Sequence, residues 1–175
     1  MANRCLWLVG LFWFYSSAVS ADSLLADAAL AMSGNWSGEL TYRDYRSDQR
    51  VAIPHERSIA VDPAGAFATH QNVFTDPGYK VYSAELHKFD AQRLTLASTS
   101  DDGISVEEFT IVSVEKTDDA WQLQAEGNAF DNGQPAQIRI QLSVDAQSLS
   151  IERSARQAGE AEFRFRNAVN LTRVE

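Results

Sequence analysis

From residue 36 onward, apolar and polar residues alternate with a period of two, and short turn sequences interrupt the alternation. The clearest run places Ile138, Ile140, Leu142 and Val144 on one face, with polar residues between them. Successive side chains of an extended chain point to opposite faces, so each run predicts a β-strand with one buried face. Because the reversals are short, neighbouring strands should run antiparallel. The clearest turn signals are Asp62-Pro63-Ala64-Gly65, Asp76-Pro77-Gly78, Asp101-Asp102-Gly103 and Asp131-Asn132-Gly133.

The alternating runs predict an all-β domain of nine or ten strands. Closing such a sheet removes its exposed edges, so the expected fold is an antiparallel up-and-down β-barrel. A curved open sheet or a β-sandwich is the alternative. Because the sequence shows no linker or repeat, residues 22–175 should form a single domain. The predicted strands cover residues 35–43, 50–61, 66–74, 79–89, 92–99, 104–115, 120–129, 135–144, 147–154 and 161–173.

Residues 1–21 have the three-part layout of a secretory signal peptide. Arg4 is followed by an apolar run over residues 5–15 and then by small residues up to Ala21. The apolar core is shorter than the roughly 20 residues that a membrane-spanning helix needs, so we expect cleavage and no membrane span afterwards. Cys5 is the only cysteine, so disulfides and thiolate metal sites are not expected in residues 22–175. This composition favours a bacterial periplasmic or secreted protein.

The charge of the chain argues against nucleic acid as a partner. The net charge is −9, and loss of Arg4 would make it one unit more negative. The basic residues are scattered singly and form no cluster that could follow a phosphate backbone. The sequence has no nucleophile elbow, phosphate-binding loop or dinucleotide fingerprint, so no catalytic residues are predicted.

A short helix precedes the first strand. Leu24, Leu25, Ala28 and Met32 recur at helical spacing, which predicts a helix over residues 23–32. The helix leads into Gly34-Asn35-Trp36 and then directly into an alternating strand. This entry resembles that of the calycins, the group of lipocalins and fatty-acid-binding proteins. The resemblance implies a calycin-like barrel with Trp36 packed at its closed end on an arginine of the last strand, which could be Arg164, Arg166 or Arg173.

The second predicted strand places polar groups on its inner face. His55 and Arg57 share the phase of Ile53, Ile59 and the other apolar residues of that strand. An unpaired buried charge costs several kcal/mol, so Arg57 should meet a carboxylate, line a wet cavity, or turn outward through a bulge near Pro54. The carboxylate could be Glu56, Asp44 or Glu85.

A ligand-binding function follows from the second of these alternatives. In it, Arg57 would hold the acidic end of an otherwise apolar ligand. The candidate ligand-binding residues are therefore Trp36, Tyr42, His55, Arg57 and Gln71. The histidines at 55, 70 and 87 could approach one another across a sheet, but nothing around them marks them as ligands, so we predict no metal and no cofactor.

Two functions from different classes remain open. The first is an exported soluble binding protein that holds a small amphipathic or apolar ligand in a barrel cavity. The alternative is a non-catalytic structural or interaction module that contacts another protein of the bacterial cell envelope, through a sheet edge or residues 42–46. An enzyme would require a histidine beside a carboxylate in the cavity.

Overall fold

The protein folds into a closed antiparallel barrel of ten strands with one short helix, as the alternation predicts. The computed structural model describes residues 21–100, 103–117 and 119–175. Each strand pairs with its neighbour in sequence, and the first strand also pairs with the last, which closes the barrel. The elements are α1 (Ala21–Ala31), β1 (Gly34–Arg43), β2 (Arg50–Val61), β3 (Phe67–Asp76), β4 (Tyr79–Asp90), β5 (Arg93–Ser100), β6 (Gly103–Lys116), β7 (Trp121–Asp131), β8 (Gln134–Val144), β9 (Ser148–Gln157) and β10 (Arg164–Val174).

The predicted signal peptide covers residues 1–21, and residues 1–20 of it lie outside the described residues. Within the described part of the chain, no helix has the length and apolar character needed to cross a membrane.

The pairing of β1 with β2 is unbroken from Gly34 opposite Ile59 to Arg43 opposite Arg50. Pro54 lies opposite Glu39 within this regular register, so the bulge considered near Pro54 is absent from these two strands. His55 and Arg57 therefore stay in the phase of Ile59, and all three side chains are buried. Because the register is unbroken, the Arg57 guanidinium lies on the inner face of the barrel.

A bulge in β6 explains why the sequence loses its alternation there. The register with β7 shifts between Ile111 and Ser113, so Val112 is the extra residue. Val112 is 57% exposed, whereas Phe109 before the bulge is buried. After the bulge, Val114 lies opposite the buried Leu123, which returns it to the inner face.

A second bulge, in β10, falls between Phe165 and Asn167. It lets two consecutive residues, Arg166 and Asn167, both serve the interior: Arg166 is buried, and Asn167 lines the cavity described below. Local irregularity therefore places additional polar groups inside the barrel.

One end of the barrel is closed by α1 and by an arginine of the last strand. Leu25, Ala29 and Met32 are buried against the barrel core. Trp36 Nε1 donates to Met32 O at 2.8 Å, and the Arg173 guanidinium lies 4.1 Å from the centre of the Trp36 ring. Of the three candidate arginines, Arg173 is thus the one that packs on Trp36.

Arg173 also completes the C-terminal end of α1. Its Nη2 donates to Ala31 O at 2.9 Å and its Nη1 to Ser33 O at 2.6 Å. The carbonyls at the end of a helix have no partner within the helix, so these bonds satisfy groups that would otherwise lack one. The same side chain therefore joins the helix, the first strand and the last strand.

Candidate functional site

The barrel encloses a partly open cavity of about 270 Å³. Its wall is mostly apolar, with a polar sector on β2 and β4 and further polar residues on β5, β6, β9 and β10. A lining that combines aromatic and aliphatic side chains with placed polar groups is typical of small-molecule sites. The lining residues are Leu40, Arg57, Phe74, Glu85, His87, Phe89, Leu94, Leu96, Ser98, Glu107, Ile140, Leu142, Ile151, Arg153, Asn167 and Val169.

The polar sector is built on alternate residues of three neighbouring strands. We call it the polar wall and define it as His55 and Arg57 of β2, His70 and Asn72 of β3, and Glu85 and His87 of β4. In the register, Arg57 lies opposite Asn72, and His70 lies opposite Glu85. Cross-strand partners point to the same face of a sheet, so the pairing brings these side chains together.

Asn72 connects the polar groups of β2 and β4. Its Oδ1 accepts hydrogen bonds from Arg57 Nε at 2.6 Å and from His55 Nε2 at 3.1 Å. Its Nδ2 donates to Glu85 Oε1 at 3.1 Å and to Ser83 Oγ at 3.2 Å. One buried amide therefore fixes the orientation of a cation, an imidazole and a carboxylate.

Arg57 meets Glu85, one of the three carboxylates considered from the sequence. Arg57 Nη2 lies 3.8 Å from Glu85 Oε1, and Arg57 Nη1 lies 3.3 Å from His70 Nδ1. Since a guanidinium only donates, His70 Nδ1 is the acceptor in that bond. Arg57 is thus both internally paired and part of the cavity lining.

Glu85 is held in its ionised form. Burial alone would raise its pKa, but the hydrogen bond from His87 and the charge of Arg57 outweigh burial and lower the pKa to about 2. The contact with His87 joins Glu85 Oε2 to His87 Nε2 at 3.0 Å. An ionised carboxylate only accepts, so His87 Nε2 carries the hydrogen in this bond.

The other two histidines are kept neutral by their surroundings. Burial lowers the pKa of His55 to about 4, and the charge of Arg57 adds to that effect. Burial, with His87 and Arg57 nearby, holds the pKa of His70 well below its ordinary value. His55 stacks on Phe74 at 4.4 Å and His70 on His87 at 3.8 Å between ring centres.

A second ion pair crosses the lumen. Arg153 of β9 donates through Nη1 and Nη2 to the two carboxylate oxygens of Glu107 of β6, at 2.7 and 2.9 Å. The two strands are not neighbours in the barrel, so the bidentate bond spans the interior rather than following the sheet. Both residues line the cavity, and the pair limits the space open to a ligand on that side.

The mouth opposite α1 is bridged by a third polar group. Tyr45, in the loop between β1 and β2, donates from its hydroxyl to Asp131 Oδ1 at 2.7 Å. Asp131, at the end of β7, is also paired with the bulge residue Arg166 at 2.6 Å. Since β1 and β7 lie on different sides of the barrel, Tyr45 reaches across the opening.

His70, Glu85 and His87 could also be considered as metal ligands, since one potential ligand atom of each lies within 4.8 Å of the others. The arrangement is that of a hydrogen-bonded network instead. Glu85 Oε2 and His87 Nε2 bond to each other, and His70 Nδ1 faces the Arg57 guanidinium. A divalent cation there would break one of these bonds and lie close to a buried positive charge.

The five residues predicted as ligand-binding occupy different places. Arg57 lines the cavity. His55 is not among the lining residues and is hydrogen-bonded to Asn72. Tyr42 lies opposite Asn167, on the inner face near the mouth. Trp36 is buried beside α1 at the closed end, and Gln71 is exposed on the outer face. The prediction is therefore wrong in placing Gln71 beside Arg57, because alternation puts Gln71 and its neighbour Asn72 on opposite faces.

The site includes residues that the sequence analysis did not select, above all Asn72, Glu107 and Arg153. Glu85 and His87 appeared only as an ion-pair partner and as one of three spaced histidines. Their signal was present in β4, where Ser83, Glu85 and His87 share the phase of the buried Phe89. Polar residues in phase with a buried aromatic residue are a sign of a polar interior.

Fold and site together define a closed ten-stranded antiparallel barrel with a partly polar cavity. No family model matches the sequence, and no curated protein matches it. Among solved structures, the chain is similar to that of Rv2717c from M. tuberculosis, with a TM-score of 0.61 and 17% sequence identity. The match covers 86% of this chain and 98% of that one. At this identity the likeness shows the fold alone.

Proposed function

We propose that this chain is an exported soluble binding protein that holds a small amphipathic or apolar ligand in its barrel cavity. The observation that carries the proposal is the cavity itself, which combines about 270 Å³ of space with a mostly apolar lining, the polar wall and the Glu107–Arg153 pair. This volume lies at the low end of the range for small-molecule pockets, roughly 300–1,000 Å³, so the ligand should be small. Export rests on the signal-peptide pattern of residues 1–21.

The test is native mass spectrometry of residues 22–175, purified from the periplasm or medium without denaturation. We expect an added mass that disappears on denaturation. Ser98 lines the cavity, so Ser98→Phe should fill the space and abolish the added mass. The matched control is Thr99→Phe, which adds the same ring on the outer face of the same strand. Loss of the added mass in both variants, or in neither, would contradict binding inside the barrel.

A second candidate, an interaction module of the cell envelope, is favoured by an exposed apolar strip on the outer face. Leu86 lies opposite Ala97, and Ala97 lies opposite Val106, so the strip crosses β4, β5 and β6. Val106 is 61% exposed and its strand neighbour Ile104 is 76% exposed. Exposed apolar patches often mark contacts between proteins.

The native spectrum distinguishes the two candidates. A bound protein that is lost in Ile104→Lys but retained in Ser98→Phe would favour the interaction module. A bound small molecule with the opposite dependence would favour the binding protein.

The polar wall also meets the geometric condition set for an enzyme, since His87 lies beside Glu85 in the cavity. A positioned base does not by itself define which bond is broken. Binding therefore remains the function that the geometry supports best.

A further inference from the structure

The charges that line the cavity already balance. Arg57 faces Glu85 at 3.8 Å, and Arg153 is bonded to Glu107 through both carboxylate oxygens. Arg57 has only 5% of its side chain exposed, and Glu85 has 26%. A charged ligand would add an uncompensated charge to this partly desolvated space, at a cost that the existing pairs cannot repay without breaking.

His87 offers a hydrogen-bond acceptor to the cavity. Its Nε2 carries a hydrogen and donates to Glu85, so in the neutral ring Nδ1 is the unprotonated nitrogen. None of the hydrogen bonds found among the described residues involves this Nδ1, and His87 lines the cavity. The carboxylate of Glu85 thus fixes the tautomer and leaves the acceptor for a ligand.

Arg57 offers donors to the same space. Its Nε is used by Asn72 and its Nη1 by His70. Its Nη2 has only the long contact of 3.8 Å with Glu85, so hydrogens on that nitrogen are available to an acceptor. The polar wall therefore presents one acceptor and at least one donor, both held by buried neighbours.

We infer that the ligand is an uncharged amphipathic molecule whose polar end carries both a donor, for His87 Nδ1, and an acceptor, for Arg57 Nη2. A primary carboxamide or a related neutral amide on a small apolar body has this chemistry. The inference rests on the proposed function and narrows it, because it replaces the acidic end group considered from the sequence with a neutral one. Glu85 and Glu107, which line the same cavity, offset the attraction of Arg57 and Arg153 for an anion.

The test uses four ligands of closely similar size and shape at pH 8: benzamide, acetophenone, benzoate and cumene. Binding to residues 22–175 is followed by NMR through the methyl signals of Ile140 and Ile151, which line the cavity. Benzamide has the donor and the acceptor, acetophenone has only the acceptor, benzoate is an anion, and cumene is apolar. We expect benzamide to bind about fivefold tighter than acetophenone and at least about tenfold tighter than benzoate.

His87→Gln is the matched variant. A glutamine amide can keep the N–H bond to Glu85, but it has no counterpart of His87 Nδ1. The variant should therefore lose the preference for benzamide over acetophenone and still bind cumene as the parent protein does. The four-ligand series on the unaltered protein tests the inference even if this variant does not fold.

The outcomes separate this inference from the proposed function. Benzoate binding as tightly as benzamide, acetophenone binding as tightly as benzamide, or an unchanged preference in His87→Gln would each overturn the neutral amide. Binding of cumene in those cases would leave the cavity function standing. If none of the four ligands shifts the Ile140 and Ile151 signals, the cavity function itself is contradicted.

Discussion

The two sides of the barrel differ in the residues that they direct into the interior: one side is apolar and the other is polar. On β8 the inner face is apolar, and Ile138 and Leu142 of this strand are buried in the core together with Leu149 of β9; we call these three residues the apolar wall. On the other side, the inward-facing positions of β2, β3 and β4 hold the polar wall. The apolar wall is stabilised by removal of its side chains from water. The polar wall loses hydration and regains it only through its own hydrogen bonds.

This difference supports the proposal that the apolar wall serves stability and the polar wall serves ligand binding. Well-packed apolar residues of similar volume are often as stable as a buried ion pair, or more stable. A polar wall with a cation, a carboxylate and three imidazoles is therefore a poor choice for stability alone. Its presence beside a cavity is the physical reason for the proposal that it recognises a ligand.

The largest expected effect is on the apolar wall. Ile138 is fully buried and does not line the cavity, so Ile138→Ala should lower the free energy of unfolding by about 4 kcal/mol through lost burial and a new void. Urea denaturation at pH 7 measures the loss. Gln141→Ala, on the exposed face of the same strand, should change stability by less than about 0.5 kcal/mol. A cost below about 1 kcal/mol for Ile138→Ala would break the assignment of stability to this wall.

The polar wall should show a different pattern. Arg57→Met leaves Glu85 without its cation and should cost about 3 kcal/mol in urea denaturation. Adding Glu85→Gln removes the stranded charge, so the double variant should recover most of that loss. Additive losses in the double variant would mean that the ion pair stabilises the fold in its own right, and the contrast between the walls would fail.

The stability of the polar wall should also depend on pH. Burial lowers the pKa of His55 to about 4, so the unfolded chain binds a proton more readily than the folded one. The contribution of His55 alone should therefore change little above pH 6.5 and lower the free energy of unfolding by about 2 kcal/mol between pH 7 and pH 5. His70 acts in the same direction because its pKa is also lowered. Glu85, with a pKa lowered to about 2, loses its contribution only below about pH 4.5.

His55→Gln is the variant that isolates this effect. It keeps an N–H donor for Asn72 Oδ1 and removes the titrating ring, so urea denaturation at pH 7 and pH 5 should give a smaller difference than in the parent protein. An unchanged difference would show that His55 is not the group responsible.

The sequence predicts the walls unequally. Nearly all strand boundaries follow from the alternation, because one buried face is enough to set a period of two. The apolar wall can be identified in the same way, residue by residue. The polar wall cannot, because the half-buried Glu85 and the buried Asn72 look like exposed residues until their partners on the next strand are known. Pairing across strands depends on register, and the bulges at Val112 and Arg166 shift register by single residues.

The smallest effect is expected where the two sides meet at the mouth. Tyr45 lies in the loop between β1 and β2 and bonds to Asp131 at the end of β7. It therefore connects two sides of the barrel across the mouth. Tyr45→Phe removes one hydrogen bond, and Asp131 keeps its pairing with Arg166; the loss of stability should stay below about 1 kcal/mol. If the bond restricts entry, association and dissociation of benzamide should both accelerate severalfold while Kd stays constant, as measured by NMR line-shape analysis. A change in Kd that comes from the dissociation rate alone would instead place Tyr45 in contact with the ligand.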